Sequence, residues 1–525
     1  MSDFPFLSVL TVAPLVGAVV VAFLPRRRPE LAKRIALGWS LAVLALSVAM
    51  WIAFKVGGDR MQFRESYPWI PDWGIRVTFA VDGIALVMLM LIAVLVPLVI
   101  LASWHDADDG SGAPGEAARA GTVAVNKRSV PVYFALILAL ECTMIGVFAA
   151  ADVFLFYVFF EVMLVPMYFL IGSYGGHQRQ YAAVKFFLYS LVGGLFMLAA
   201  VIGLWAVGGR TFDWSALIGA DIATDTARWL FLGFFVAFAI KAPFFPFHTW
   251  LPDAGGAAPA GAAALLVGVL DKVGTFGILR YCLPLFPEAS RWFAPWALAL
   301  AAIGIIYAAL LAVGQNDLKR LVSYTSIAHF GFIGIGIFAF TTQAGTGAVL
   351  YMLNHGLATG LLFLVVGMLV ARRRSALVSD FGGVGRLVPL LGGVLLFAGL
   401  ASLALPGTAP FVSEFLVLIG TFTVNKPVAV IATIGIIFAA AYVLWMVQRT
   451  AQGTLNPALS EVDDMRRDLT ARERVVVAPL IALLIVLGFY PKPVTDVINP
   501  AVQATMQDVG TSDPAPTAGN LEAAK

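Results

Sequence analysis

The chain has 525 residues, 60% of them hydrophobic and only 12% charged, with a mean hydropathy of +0.90. Soluble globular domains run at about 45–50% apolar and about 25% charged, so this composition is that of a membrane protein. The net charge of +3 comes without a long basic run, which excludes a nucleic-acid partner. The two cysteines, Cys142 and Cys282, form no CxxC or Cys/His pattern and read as packing residues.

A spanning helix needs roughly 17–25 mostly apolar residues. In chain order, that rule predicts spans near 4–24, 33–54, 78–103, 129–149, 153–173, 182–207, 228–250, 259–280, 294–314, 321–341, 347–371, 387–422, 427–448 and 474–491. The expected fold is an all-α membrane protein of about 14 transmembrane helices. The first run lacks a basic n-region and is too long for a cleaved signal peptide, so it reads as the first span. The connections are short except for 104–128, 209–227 and 449–473, and the polar tail from Gln503 reads as disordered. Alternate loops differ in charge: one side holds 21 of the 34 Lys and Arg and the other 11, with Lys241 and Lys272 inside helices. This bias places the richer side in the cytoplasm and both termini opposite.

Two spans, the seventh and the twelfth, carry their own breakers. Pro243 and Pro246 stand in "FAIKAPFFPFHTWLPDAGG", and Pro406 and Pro410 in "LPGTAPFVSEF". Each proline removes a backbone donor, and freed carbonyls at membrane depth are tolerated only inside protein or beside a hydrated cavity. A packing kink is the plainer reading of one proline; two pairs beside charges point to water at mid-membrane. The breaks also correspond. "LYSLVGGLFML" from Leu188 resembles "LYMLNHGLATG" from Leu350, and "APFFPF" from Ala242 resembles "APFVSEF" from Ala409. Transporters built from internal repeats place their sites at such paired interruptions.

Four charges lie inside apolar runs: Glu161 in "LFYVFFEVMLVPMYFL", Lys241, Lys272 in "LLVGVLDKVGTFGILR", and Glu414. Each costs about 2.5–3.5 kcal/mol at a helix centre, so such residues face a bundle interior or a wet cavity. The alternative for each is a neutralised or snorkelling side chain, and Asp271 could partly neutralise Lys272. A lysine whose acidic partner approaches or withdraws is a switchable proton site, and it needs neither metal nor nucleophile. His329 and His355 suit a proton relay, a hydrogen-bonded core pair or, on their count alone, a b-type haem. His248 and His177 read as boundary residues, and the role of Glu141 stays open. No phosphate loop, dinucleotide fingerprint, cysteine cluster or catalytic triad is present, so no electron-transfer cofactor is expected in this chain.

"FLFYVFFEVMLVPMYFLIG", "KAPFFPFHTWLPDA", "GVLDKVGTFGILRY", "DLKRLVSYTSIAHFGF", "LYMLNHGLATGLLFLVVGML" and "LALPGTAPFVSEFLVLIG" together resemble the antiporter-like subunits of respiratory complex I, across roughly residues 130–420. The resemblance implies two inverted five-helix repeats, with discontinuous helices 7 and 12. It divides the chain into an N-terminal region (1–128), a first repeat (129–280), a second repeat (294–448), a last helix (474–491) and a disordered tail (503–525). It implies a proton relay in which Glu161 pairs with Lys241, Lys272 is the central lysine, His329 and His355 form a polar link, and Glu414 is the terminal site. Glutamate at 414 is typical of the M-type branch, whereas L-type and N-type chains usually carry lysine there. The implied partners are those L-type and N-type chains, the bilayer and protons, in a bacterial plasma membrane. NADH, FMN, Fe–S clusters and quinone are expected in partner subunits only. One departure is "PDAGGAAP", where Gly255 replaces a histidine frequent in the family. The competing readings are a subunit of a multisubunit cation/proton antiporter or membrane-bound hydrogenase, and a non-conducting scaffold.

Overall fold

The structure, a computed structural model, describes residues 4–108 and 129–513. Most of the 104–128 loop and the tail beyond 513 lie outside the described residues. Among the described residues ten helices are long and apolar enough to cross a membrane, or twelve if each of two bent pairs is one span. Phe6–Ala22 and Ala409–Phe422 are apolar but shorter, and Thr224–Lys241 carries charges at 225, 228 and 241.

Several helix starts are set by side-chain caps. Asp82, Asp152 and Asp317 accept hydrogen bonds from the backbone N–H of Ala85, Leu155 and Arg320 at 2.8–2.9 Å. Each cap satisfies a donor that lipid cannot. Burial then sorts the helices. The apolar window of Ala260–Leu285 is 100% buried and that of Pro29–Ala53 only 28%, so the former is central and the latter presents its side chains outward, toward lipid or a neighbouring chain. Gly83–Ala102, Leu318–Phe338 and Thr342–Arg373 complete the centre, packed on one another or on Ala260–Leu285.

The expected breaks occur, with one correction. Thr224–Lys241 ends at the lysine, the chain turns through Pro243 and Pro246, and it resumes as Leu251–Ala257. Pro389–Ser402 ends before Pro406 and Gly407, whose φ is +93°, and restarts as Ala409–Phe422. Pro410 does not break a helix. It stands in the first turn of the second half, where a missing N–H has no partner to lose.

Three features depart from the expected pattern. The fifth span is divided at Met163, one residue pair after Glu161, because Pro166 cannot donate to the carbonyl four residues earlier. Ala260–Leu285 contains π-helical turns at Leu266–Leu270 and Ile278–Cys282. The stretch before Gly83 is an antiparallel hairpin, β1 (Gln62–Ile70) and β2 (Ile75–Val81), in which Ser66 pairs with Thr78. The fold is thus not wholly helical; "IRVTFAV" is β-branched and aromatic, and its last residues passed for the start of the third span.

The C-terminal end is also more ordered than its composition suggested. Ala471–Phe489 begins with a capping box of Thr470 and Glu473, and Lys492–Val509 follows at a bend of 69°. Val494, Val497, Ile498, Ala501, Val502 and Thr505 make one buried stripe at helical spacing, so residues 503–509 are helix rather than disordered tail. The helix is tied to the hairpin side by Arg60–Asp508 at 2.6 Å and to the second half by Thr346 Oγ1, which donates to Asn499 at 2.7 Å.

Arg372 at the end of Thr342–Arg373 grips Glu473 through two parallel bonds of 2.7 Å and donates to the carbonyl of Arg467. Truncating one partner of a buried pair costs about 3–5 kcal/mol because the other charge is stranded. Arg372→Ala is therefore expected to lower the thermal midpoint of the purified membrane subunit, read by tryptophan fluorescence; an unchanged midpoint would contradict the anchoring role.

Candidate functional site

The intramembrane charges lie where the backbone departs from regular helix. Lys241 is the last residue of Thr224–Lys241, where the helix dipole favours a cation, and only 1% of it is exposed. Its ammonium lies over the rings of Phe160, at 5.0 Å, and Phe186, at 5.6 Å, and has no hydrogen-bond partner among the described residues. Glu161 adjoins Phe160, whose ring the ammonium overlies. Glu161 is the penultimate residue of Val153–Val162, before the kink, and its Oε1 lies where a side chain at Gly194 would have to be. No ion pair joins Glu161 to Lys241, so the pairing expected from the sequence is a proximity here and not a contact.

Lys272 is more heavily engaged. The π-helical turn ahead of it widens the helix by one residue, and its Nζ donates to the carbonyl of Val267. The same nitrogen lies 3.1 Å from Asp271 Oδ1, 2.6 Å from His355 Nδ1 and 5.0 Å from the Phe330 ring. Sequence neighbours in a regular helix point about 100° apart. Here the irregular turn lets Asp271 and Lys272 meet, and both are fully buried.

From His355 the polar residues continue. Its ring centroid is 5.3 Å from that of His329. His329 Nδ1 lies 2.6 Å from the Tyr351 hydroxyl, which donates to Glu414 Oε2 at 3.2 Å. Glu414 sits in the second turn after the break, beside Ser413, whose hydroxyl and the Ala409 carbonyl accept from Asn354. Lys272, His355, His329 and Glu414 thus form one cluster, with Glu161 and Lys241 set apart from it. The sequence reading missed Tyr351, although it lies four residues from His355 and hence on the same helix face. Glu141 is wholly buried, and neither carboxylate oxygen has a hydrogen-bond partner among the described residues. His248, expected at a boundary, is instead buried against Phe245 and Tyr307.

At one end of the bundle a cavity of about 700 Å³ is lined by Tyr174, His177, Asp253, Ala258, Lys319 and Arg374, among others. Asp253 bridges Lys185, at 2.7 Å, and Arg320. Burial opposes its ionisation, yet the hydrogen bonds and charges of these two cations hold its carboxyl below the usual range. Gly255 faces the Ser323 hydroxyl so closely that any larger side chain there would require Ser323 to move. Among the described residues no group of three or more His, Cys, Asp or Glu could hold a metal.

The chain is similar to known membrane proteins along most of its length. The family described as NADH:quinone oxidoreductase/Mrp antiporter, TM, matches residues 150–439. NADH-quinone oxidoreductase subunit M of Mycobacterium tuberculosis is 48% identical, over 98% of this chain and 97% of the relative. A chain of respiratory complex I from Thermus thermophilus with bound NADH superposes with a TM-score of 0.84 at 29% identity, covering 96% of this chain and 100% of that one. A chain of the Mrp complex from Dietzia sp. DQ12-45-1b shares the fold, with a TM-score of 0.81 at 20% identity over 96% of this chain and 100% of that one.

Because Glu161 occupies the space beside Gly194, Gly194→Ala is expected to rotate the carboxylate away without altering any charge. A density map of the variant at side-chain resolution checks this, and an unmoved carboxylate would be the contrary result.

Proposed function

The chain belongs to the NADH:quinone oxidoreductase/Mrp antiporter membrane family, and on that premise we propose a route by which its buried charges carry protons. As a membrane-arm subunit of NADH:quinone oxidoreductase it translocates protons and performs no redox chemistry itself. NADH, FMN, Fe–S clusters and quinone belong to partner subunits in this reading, and electron transfer there supplies the driving force.

The route starts at Glu161 and Lys241. A charge change in a neighbouring antiporter-like subunit moves Glu161 relative to Lys241, and an ammonium with no hydrogen-bond partner responds strongly to such a shift. Its proton passes to Lys272, whose Asp271 partner accommodates the arriving charge. It continues to His355, then His329, then Glu414. The single observation that carries this order is the contact of Lys272 Nζ with His355 Nδ1, which puts His355 before His329. The gap between the two imidazoles takes a ring rotation or one bridging water.

The helix breaks at Pro243, Pro246 and Pro406 are read as the hydrated points of the route, within repeats spanning 129–280 and 294–448. The Lys/Arg bias orients the 700 Å³ cavity toward the cytoplasm, as the uptake basin, with both termini on the far side of a bacterial plasma membrane.

The test uses the assembled complex in inverted membrane vesicles. Glu161→Gln and Lys241→Ala are each expected to cut NADH-driven acidification by well over half. Normal NADH oxidation together with normal pumping in both variants would remove the relay and leave a scaffold role.

A further inference from the structure

Tyr351 lies on Thr342–Arg373, one turn before His355, and is buried to 1% exposure. Its hydroxyl touches both His329, at 2.6 Å, and Glu414, at 3.2 Å. We infer that the Tyr351 hydroxyl is the proton carrier between His329 and Glu414, and that it fixes the direction in which the hydrogen-bond chain is polarised. This rests on the relay reading above.

A phenol has one proton and an oxygen that accepts, an imidazole in its neutral form donates from one nitrogen and accepts at the other, an ammonium only donates, and a carboxylate only accepts. The ends of the cluster therefore dictate its interior. With Glu414 ionised, Tyr351 O–H must donate to Oε2, so its oxygen can only accept from His329, and His329 carries its proton on Nδ1. At the other end the Lys272 ammonium donates to His355 Nδ1, so His355 carries its proton on Nε2. The two remaining nitrogens are His355 Nε2 and His329 Nε2, both buried and without a partner among the described residues. This assignment makes the first a donor and the second an acceptor, on rings 5.3 Å apart. Two independent constraints, one from each end, meet at the gap with complementary signs. Every bond then points from Lys272 toward Glu414.

Transfer along this chain balances. Lys272 loses a proton to His355 Nδ1 as the Nε2 proton of His355 passes to His329 Nε2. The His329 Nδ1–H bond breaks as a new Tyr351 O–H bond forms, and the old Tyr351 proton joins Glu414. No electrons change hands, and Tyr351 remains a neutral phenol before and after. Every bond has now reversed, so a second proton cannot follow until Glu414 discharges and the hydroxyl and both tautomers turn back. Tyr351 is thus a one-proton-per-reset element.

Tyr351→Phe removes the hydroxyl and keeps the ring. In inverted vesicles carrying assembled complex, verified by native gel, NADH-driven quenching of a pH-sensitive acridine dye is expected to fall at least several-fold. Lys272→Ala serves as the reference for the relay as a whole. Loss of pumping in Lys272→Ala with wild-type pumping in Tyr351→Phe overturns the phenol carrier alone; wild-type pumping in both overturns the relay reading itself. If Tyr351→Phe fails to assemble, 3,5-difluorotyrosine introduced at 351 preserves shape and hydrogen bonds while altering phenol acidity. A changed pumping rate and solvent isotope effect then support the carrier, and unchanged values reduce Tyr351 to a packing residue.

Discussion

A charge placed at membrane depth has no bulk water to fall back on, and the fully buried Lys272 is where this chain resolves that constraint. Its ammonium is met by a carboxylate, an imidazole, a backbone carbonyl and an aromatic face. An unpaired ion in such a place would cost several kcal/mol, and even a paired one only approaches balance when its remaining protons are hydrogen-bonded. The saturated shell around Lys272 therefore lets a lysine be kept at the centre of the bundle. It also makes the site responsive, because each partner is itself ionisable or polarisable and any change in one shifts the proton affinity of the rest.

The irregular backbone follows from the same requirement. A regular helix points Asp271 and Lys272 in different directions and uses the Val267 carbonyl internally. The π-helical turn at Leu266–Leu270 changes both, freeing an acceptor and bringing the two side chains together. The breaks after Lys241 and before Glu414 act similarly: each puts an ionisable residue beside the end of a helix. Lys241 takes the end whose dipole suits a cation. Glu414 stands in the second turn of its helix, where the Tyr351 hydroxyl meets its carboxylate.

Around this centre the hairpin and the terminal amphipathic helix close one end of the bundle. Lys492–Val509 packs on Gly83–Ala102, Thr342–Arg373 and Pro287–Val313, so helices distant in sequence are held by one element. Gly83 sits so close to the backbone at Val497 that no larger residue fits. A strap of this kind keeps the central helices in register, which a chain of 2.6–3.2 Å hydrogen bonds between different helices requires.

Much of this was written in one dimension. Apolar runs located the helices because hydrocarbon leaves the backbone no other choice, prolines located the two breaks, and the four intramembrane charges announced themselves by their cost. The histidines were candidates for the same reason. The neighbours of those charges were not legible. Tyr351 is unremarkable among aromatic membrane residues until helix packing sets its hydroxyl between His329 and Glu414. Asp271 was ambiguous until a π-helical turn aimed it at Lys272. His248 proved buried, the last residues of the hairpin passed for the start of a span, and residues 503–509 read as tail, since each depends on what packs against it. Sequence by itself determined which residues could hold a proton, because burial of charge is a local energetic fact. Which of them can hand it on was decided only by tertiary structure, because hydrogen bonds form between atoms within about 3 Å and not between positions in a chain.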